Sequence, residues 1–551
     1  MSPIAGIITD SDVELVPQIA SMLDVMQPGT SAVWSVIDRR PAESSQITGG
    51  REVLAQLSVP TGDKSLEPPF FEFPHGRGVM YEGELYNPGE VSAGLHTRHV
   101  LSGNNSELIA RLLKERSGTL TTKLKSIAGM LDGSYVLVAD DKGEIAIIRD
   151  SLGTKPVYLA HDDGLLAFAS NKKALWQIGM GSVKALRAGT MAIANGSWIA
   201  IDGISPTTRE EPQIRGLFEA TECYQQALVS SIEKRLVDVN EVGVLLSGGV
   251  DSCLLAKLLS KLAADKGVDV TAYTAGVRGS EDTDNAQSFA QEIGLECRVK
   301  ELDSCDIEAY IPKVIEAVEE RDLVQVEAGI GIYAAMEMAG EDGIRVVFSG
   351  QGPDELWGGY EWYPKVLEKE GYAGLCQRMT DDLGRADIET LDRENKIAMD
   401  QGMEMRFPYL APEVVNVALN VIPELKVDSP SSLGKLVHRV LAHKLGLGED
   451  YAYRPKSAVQ HGTGVHEILK QVAEKNGFDS ELVIRLGYSS DEITCEKLGS
   501  SSRYGYEYAD ENLWQVPEPV QLFLDITAFE RDLLNETERA RIEQFVDRLK
   551  P

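Results

Sequence analysis

The stretch Leu245-Leu246-Ser247-Gly248-Gly249-Val250-Asp251-Ser252 decides the fold of the longer half of this chain. It lies between an apolar run, Val242 to Leu246, which predicts a β-strand, and a helical pattern that begins at about Asp251. Two adjacent glycines let backbone amides approach phosphate oxygens, the serines add hydroxyl donors, and the start of a helix favours negative charge. The stretch therefore indicates a loop that holds the pyrophosphate part of a nucleotide, with an ordinary glycine-rich turn as the alternative.

The residues around this loop predict an α/β domain. Further short strands are predicted at Val270 to Thr274, Cys297 to Leu302 and Ile344 to Phe348, and helical stretches separate them. Strands that alternate with helices in this way are typical of a parallel sheet. The rest of the chain has a largely helical pattern and ends in a charged amphipathic helix predicted from Phe529 to Leu549.

The first two hundred residues have a different sequence pattern, in which short runs of residues that favour β-strands alternate with residues that favour turns. Ser134 to Ala139 and Glu144 to Arg149 predict a hairpin, because a glycine-containing turn separates them. The polar segment from Ile204 to Pro212 contains two prolines and is the predicted linker. The sequence thus predicts two domains, residues 1–204 and residues 213–551.

A second glycine-rich and acidic loop follows the predicted strand that ends at Phe348, and it reads Ser349-Gly350-Gln351-Gly352-Pro353-Asp354-Glu355. In an open α/β sheet, ligands bind at the carboxyl ends of the strands, so both loops should converge on one crevice. Asp251 and Asp354 would then share a magnesium ion, because carboxylates and phosphate oxygens are the ligands that this ion prefers. A solvated surface residue is the alternative for either aspartate alone.

The composition describes a folded and strongly acidic protein. The 551 residues include 86 acidic and 54 basic side chains, and the resulting formal charge of −32 repels phosphate backbones and anionic lipids. Nucleic acid and membranes are therefore not expected as partners. No window has the roughly 18 consecutive apolar residues of a membrane-spanning helix, and the first residues show no secretory signal. Six scattered cysteines lack metal-binding spacing, so a reducing, cytoplasmic location is expected.

The two loops and several later strings resemble the asparagine synthetase family, within the larger group of PP-loop ATP pyrophosphatases. The later strings are Asp282, Arg393-x-Asn395-Lys396, Gly402-x-Glu404-x-Arg406-x-Pro408-x-Leu410 and Arg454-x-Lys456. The resemblance implies an α/β protein with an N-terminal Ntn-hydrolase-like αββα sandwich and a C-terminal PP-loop domain with a parallel sheet and a helical end. Strings such as Gly83-Glu84-Leu85-Tyr86-Asn87 match the scaffold of the family's N-terminal glutaminase domain.

By the same resemblance, ATP and Mg²⁺ are the expected cofactors. The residues that would bind ATP are Leu246, Ser247, Gly248, Gly249, Asp251, Ser252, Ala275, Ser349 and Gly350. Asp251 and Asp354 would hold the metal. Lys456 would be catalytic, because a fixed cation can stabilise negative charge as the acyl-adenylate forms, whereas an isolated lysine is usually a surface residue. The expected partners are a small carboxylic acid and ammonia or an amine, and a homodimer is one possible assembly.

The resemblance also shows where the glutaminase half departs from the family pattern. Ser2 stands where active relatives present a nucleophilic cysteine, and a hydroxyl is a much weaker nucleophile than a thiol. Glu82 replaces the asparagine of the oxyanion hole, and a carboxylate would repel an oxyanion. Asn104-Asn105 replaces the Ser-Asp pair that binds the glutamine amino group, and no arginine for the glutamine carboxylate is seen between Phe70 and Arg77. We therefore expect a retained fold without glutaminase activity.

The predicted reaction is an ATP-dependent amide synthesis through an acyl-adenylate, with an unidentified acid and nitrogen donor. Asparagine synthetases carry an acidic residue at Gln351, which cannot act as a base here, and a Thr-Thr-x-Arg run that reads Val324-Gln325-Val326-Glu327 in this chain. Beta-lactam synthetases, which attack the adenylate with an internal amine and carry a tyrosine at the Gln351 position, are the alternative. Glu389 is a candidate replacement base, although an acidic residue in a charged helix is more often solvated.

Two other classes of function remain open at this point. A PP-loop enzyme that modifies RNA would need a basic surface and a reactive cysteine, and the charge of −32 and the scattered cysteines disfavour both. A non-catalytic ATP-binding subunit would be expected to have lost characteristic residues of the two ATP-binding loops, and this sequence keeps them. An amide-forming ligase is thus the favoured prediction.

Overall fold

A computed structural model describes residues 3–9, 15–26, 33–39, 51–58, 70–73, 77–96, 104–141, 144–162, 164–195, 197–201, 212–456, 459–490 and 518–549. The chain divides into two compact units. The first contains Met1–Thr208 and Ala398–Glu404, and the second contains Arg209–Ile397 and Met405–Pro551. Ser2 and residues 204–211 of the predicted linker lie outside the described residues.

The first unit is built on two six-stranded sheets. One has the strand order β10-β8-β9-β1-β3-β2 and the other has the order β12-β11-β7-β6-β5-β4. The strands are β1 (Ile4–Thr9), β2 (Val33–Arg39), β3 (Arg51–Ser58), β4 (Phe70–Phe73), β5 (Arg77–Leu85), β6 (Gly133–Asp141), β7 (Glu144–Arg149), β8 (Tyr158–Asp162), β9 (Leu165–Ala169), β10 (Val183–Ala185), β11 (Met191–Ala194) and β12 (Trp198–Ile201). The predicted hairpin is confirmed as the antiparallel pair β6 and β7.

Helices cover the outer faces of both sheets. They are α1 (Val16–Met26), α2 (Pro88–Ala93), α3 (Asn105–Glu115), α4 (Leu120–Ala128) and α5 (Lys172–Gln177). The alternation of side chains along each strand explains the layers: Val53 and Ala55 of β3 pack with α1, whereas Leu54 packs against β5 and β6 of the other sheet. The order of layers is therefore helix, sheet, sheet, helix, which confirms the predicted αββα sandwich.

The second unit contains a five-stranded sheet with the order β15-β14-β13-β16-β17. Its strands are β13 (Glu241–Leu245), β14 (Asp269–Val277), β15 (Glu296–Leu302), β16 (Val346–Phe348) and β17 (Glu404–Arg406). The pairs of β13 with β14, β13 with β16, and β14 with β15 are parallel, as predicted. The chain adds β14 and β15 on one side of β13 and returns to place β16 on the other side, so the loops after β13 and β16 are neighbours.

The helices of this unit join the strands and then form the C-terminal part. They are α6 (Leu217–Lys234), α7 (Val250–Lys266), α8 (Glu281–Ile293), α9 (Ser304–Val318), α10 (Leu323–Glu341), α11 (Pro353–Trp357), α12 (Tyr363–Leu383), α13 (Asp392–Asp400), α14 (Pro412–Asn420), α15 (Leu436–Lys444), α16 (Glu449–Ala452), α17 (Val459–Gly462), α18 (Val465–Lys475), α19 (Ser480–Leu486), α20 (Glu518–Glu530) and α21 (Glu536–Leu549). A π-helical turn, Asp387–Leu391, precedes α13, and 3-10 turns lie at Pro408–Leu410 and Pro423–Leu425.

The prediction of one continuous helix from Phe529 to Leu549 was wrong. The structure has two helices there, α20 and α21, and Asp532 between them adopts a positive φ of 59° that an α-helix cannot accommodate. Asn535 then caps α21 by accepting a hydrogen bond from the Glu538 amide at 2.9 Å. Among the described residues, the structure has no helix that is both long and apolar enough to cross a membrane.

Candidate active site

The loop after β13 is closed by its own serines. Ser252 Oγ accepts a hydrogen bond from the Ser247 amide at 3.1 Å and donates to the Gly249 carbonyl at 3.2 Å. Gly248 has a φ of +72°, and a Cβ there would lie 2.5 Å from the Asn285 Cβ, so only glycine fits. The 17-residue helix α7 begins after Gly249, which has no side chain that could cap it. The first backbone amides of this helix can therefore donate hydrogen bonds to an anionic ligand.

The second loop touches the first, as the strand order predicts. The Ser349 amide donates to the Arg406 carbonyl at 2.9 Å, which joins the loop to the neighbouring strand β17. A Cβ added to Gly350 would lie 3.3 Å from the Ser252 amide nitrogen, so the second loop approaches the first so closely that a side chain at this position would be crowded. The structure thus brings together the predicted ATP-binding residues from Leu246 to Ser252 and those of the second loop.

Asp251 and Asp354 meet at a shared lysine. Lys435 Nζ lies 2.6 Å from Asp251 Oδ2 and 2.7 Å from Asp354 Oδ1, and its side chain is only 1% exposed. Lys456 Nζ lies 3.0 Å from the other oxygen of Asp354 and keeps a third of its side chain exposed. We call Asp251, Asp354, Lys435 and Lys456 the charge cluster. It places two positive and two negative side chains beside the phosphate loop.

The charge cluster fixes the ionisation of its members. Burial alone would raise the pKa of Asp251 and of Asp354, but Lys435 acts together with Lys456, and at Asp251 also with His438, to hold both below the ordinary value. Burial disfavours the charged form of Lys456, yet Asp354 and Asp251 raise the pKa of that ammonium above its ordinary value. Asp251, Asp354 and Lys456 are therefore charged at neutral pH.

The residues of the charge cluster fit a magnesium ion that is also held by a nucleotide. Two carboxylates that reach one ammonium can also reach one small cation, and both offer the oxygen ligands that Mg²⁺ prefers. Within the described residues, no group of three or more His, Cys, Asp or Glu side chains could hold a metal ion without other ligands. The remaining ligands would thus have to be phosphate or water oxygens, which is usual for Mg²⁺ and unusual for zinc.

Arg454 joins the phosphate loop to the start of α8. Its Nη1 donates to the Gly248 carbonyl at 3.1 Å, and its Nη2 lies 3.2 Å from Asp282 Oδ1. Burial raises the pKa of Asp282 to about 6 in spite of this arginine. Ala275 lies in β14, next to β13, and is buried. The residues that the family resemblance singled out therefore lie around the same loop, namely Asp282, Arg454 and Lys456.

The structure shows a second carboxylate, besides that of Glu389, that could act as a base. Glu389 lies in the π-helical turn, where its Oε1 is 3.5 Å from Arg385 Nε, and burial raises its pKa to about 8. Within the described residues, this carboxylate forms no hydrogen bond or ion pair with either loop. Glu394, which sequence reasoning missed, is 2% exposed, and its Oε1 accepts a hydrogen bond from Gln351 Nε2 at 2.6 Å. The second loop is thus hydrogen-bonded to a carboxylate of α13.

Glu327, which stands in the altered Thr-Thr-x-Arg run, is not an isolated charge. Its Oε2 lies 2.7 Å from His466 Nδ1, and both side chains are buried between α10 and α18. The carboxylate at this position therefore has a buried hydrogen-bonding partner. The pair gives no direct reason to exclude aspartate, or any other acid, as the substrate.

The glutaminase positions of the first unit have their own partners. Glu82 is fully buried, and its Oε2 accepts a hydrogen bond from Ser170 Oγ at 2.6 Å. Burial, opposed by Ser170, raises the pKa of Glu82 to about 7. Asn104 accepts a hydrogen bond from the Ser106 amide at 2.7 Å and so caps α3, of which Asn105 is the first residue.

Comparison with family models and known proteins agrees with this arrangement. The model of asparagine synthase matches residues 224–380 and 368–525, and the model of the glutamine amidotransferase domain matches residues 56–177. A Methanocaldococcus jannaschii protein, provisionally named asparagine synthetase [glutamine-hydrolyzing] 1, is 31% identical over 74% of this chain and 81% of its own. Asparagine synthetase B of Escherichia coli is 26% identical over 80% of each chain.

Solved structures match more weakly. Glutamine phosphoribosylpyrophosphate amidotransferase from Bacillus subtilis aligns over 50% of this chain and 67% of its own, with 17% identity and a TM-score of 0.31. That score is too low to support a functional comparison. The family match covers more than half of the chain and includes the strand, loop and helix order described above. The chain therefore belongs to the asparagine synthetase family of ATP-dependent carbon-nitrogen ligases.

Proposed function

We propose that the protein uses ATP to activate a small carboxylic acid as an acyl-adenylate and transfers the acyl group to ammonia or an amine. The observation that carries the proposal is the charge cluster beside the phosphate loop. It combines two carboxylates, Asp251 and Asp354, with two ammonium groups at 2.6–3.0 Å. This arrangement suits a triphosphate that arrives with its metal and leaves as pyrophosphate.

In the first step a carboxylate oxygen of the acid attacks the α-phosphorus of ATP, the bond from that phosphorus to the bridging oxygen breaks, and pyrophosphate leaves. The loop from Ser247 to Ser252 and the start of α7 would hold the departing phosphates. Lys435 and Lys456 would stabilise the negative charge that develops on them. A magnesium ion bound with Asp251 and Asp354 would supply further neutralisation of that charge.

In the second step the nitrogen attacks the acyl carbon, the bond from that carbon to the AMP oxygen breaks, and the nitrogen loses a proton. Gln351 cannot take up this proton. Its side-chain nitrogen is held by Glu394, so its carbonyl oxygen is available to orient an N–H group. Glu394 is the carboxylate we favour as the proton acceptor, and Glu389 stays a prediction without a direct contact to the loops.

We also propose that the first unit does not release ammonia from glutamine. The support is Glu82, whose carboxyl group is buried at the position that needs a hydrogen-bond donor toward an oxyanion. The nitrogen would then come from free ammonia, a separate protein or a second substrate. Glutamate release from glutamine by the purified protein would contradict this part of the proposal alone.

The experiment is exchange of labelled pyrophosphate into ATP, screened over small carboxylic acids that include aspartate. We expect exchange that depends on one acid, and amide formation when ammonium or an amine is added. Lys456→Ala should abolish exchange, whereas Lys475→Ala, which alters an exposed lysine paired with Glu308, should not. Exchange that needs no acid, or a Lys456→Ala protein with full exchange, would refute the proposal.

A further inference from the structure

A buried histidine stands behind Asp251, on the side away from solvent. His438 of α15 is 0% exposed, and its Nε2 lies 3.1 Å from Asp251 Oδ1 in a bent contact at hydrogen-bond distance. Its other ring nitrogen, Nδ1, lies 2.8 Å from Tyr224 Oη of α6. The three side chains form a line, Tyr224 to His438 to Asp251, that links two helices to the phosphate loop.

Both ring nitrogens of His438 face a polar partner. Nε2 lies beside Asp251 Oδ1, and Nδ1 lies beside the Tyr224 hydroxyl. A carboxylate only accepts hydrogen bonds, so Nε2 is the ring atom that can donate toward Asp251. The contact with Tyr224 therefore holds the ring in the orientation that turns Nε2 toward Asp251.

The surroundings leave this line little freedom to move. The Tyr224 ring packs on the buried Trp357 with centroids 4.4 Å apart, and Tyr409 lies against the His438 ring at 5.6 Å. Tyr409 also donates its hydroxyl to the Asp251 backbone carbonyl at 2.8 Å. Asp251 is therefore held at its backbone carbonyl by Tyr409 and at Oδ2 by Lys435, while its Oδ1 faces His438.

We propose that His438 is a positioning residue, that Tyr224 holds its ring in place, and that together they orient the Asp251 carboxylate toward the metal-bound nucleotide. The inference rests on the proposed function, because it assumes that Asp251 faces a metal ion bound with ATP. Partners that orient a metal-binding carboxylate commonly change metal affinity ten- to a hundred-fold when they are removed.

The test measures metal-dependent nucleotide binding rather than turnover. The full-length protein is titrated by calorimetry with α,β-methylene-ATP, which cannot be cleaved at the reacting bond, with and without Mg²⁺. His438→Leu, which has no donor, should weaken the Mg²⁺-dependent binding about tenfold or more and leave binding without metal nearly unchanged. Tyr224→Phe, which keeps the ring but loses the hydroxyl, should give a smaller loss of the same kind. His438→Gln, whose side-chain amide can reach the Nε2 position, should restore part of the affinity.

The outcomes separate this inference from the proposed function. If the unaltered protein does not bind the analogue at all, the proposed function and this inference both fail. If the unaltered protein binds with Mg²⁺ and folded His438→Leu and Tyr224→Phe proteins bind equally well, only the inference is overturned. Melting temperatures of each variant show whether it is folded.

Discussion

Replacing Lys435 by methionine removes the ammonium that joins the two carboxylates of the charge cluster. Methionine keeps most of the length and volume of the buried side chain, so the main change is electrostatic. Asp251 and Asp354 would then face each other without the cation that lies 2.6 and 2.7 Å from them. Lys456 would still contact Asp354, and His438 would still contact Asp251.

The size of the effect follows from burial. Breaking a buried ion pair by removing one partner costs roughly 3–5 kcal/mol, and the remaining partners place this case at about 3 kcal/mol. Lys444→Met is the matched control, because Lys444 is the last residue of the helix that Lys435 precedes and forms an exposed pair with Glu222. Its cost should stay within about 0.5 kcal/mol. In exchange assays Lys435→Met should also lose about 100-fold in rate, since one charge donor to the leaving group is gone.

The assay is urea unfolding followed by hydrogen–deuterium exchange on peptides of α7 and α15, because a chain of two units need not unfold in one transition. We expect both peptides to lose protection at lower urea in Lys435→Met than in the unaltered protein. If Lys435→Met and Lys444→Met unfold at the same urea concentration, the carboxylates do not depend on the lysine, and the description of the charge cluster is wrong.

Three further changes test other parts of the site. Burial raises the pKa of Glu389 from 4.5 to about 8, so ionisation of this group lowers the stability of the fold as pH rises between those values. The melting temperature of Glu389→Gln should therefore increase relative to that of the unaltered protein across that pH range. If the two curves of melting temperature against pH run parallel, the raised pKa of Glu389 is wrong. Glu394→Gln should keep acid-dependent pyrophosphate exchange but lose most amide formation, measured as product by mass spectrometry, and an equal loss of both steps would rule out a role limited to the proton. Gly248→Ala should abolish nucleotide binding in calorimetry because its Cβ meets Asn285, whereas Gly267→Ala, with a similar φ of 70° and open space around it, should cost only about 1 kcal/mol and still bind.

The parts of the site that lie next to strand ends could be predicted from the sequence. The loop from Leu245 to Ser252 carries its own signal in its glycines, serines and following helix, and the strand order then brings the second loop beside it. Local patterns and the general rule for open α/β sheets were sufficient for this. The same reasoning placed Asp251 and Asp354 together, although it did not reveal the lysine between them.

The partners that come from distant helices could not be predicted. Lys435 and Asp251 are 184 residues apart, and nothing in the sequence around Lys435 distinguishes it from a surface lysine before an amphipathic helix. His438 and Tyr224 are 214 residues apart, and their contact depends on how α6 and α15 pack. The sequence also did not indicate that Glu394, rather than Glu389, contacts the second loop. The positions of these two side chains depend on a π-helical turn that ends where α13 begins.

The central claim is that the nucleotide held at the charge cluster transfers AMP to an organic acid. The most direct measurement uses the acid identified by exchange, labelled with ¹⁸O in its carboxylate, followed by mass spectrometry of the products after amide formation. We predict one ¹⁸O atom in AMP, because the acid's oxygen stays on phosphorus when nitrogen displaces AMP. Unlabelled AMP, or ADP and labelled phosphate, would show that activation does not proceed through an acyl-adenylate and would contradict the account.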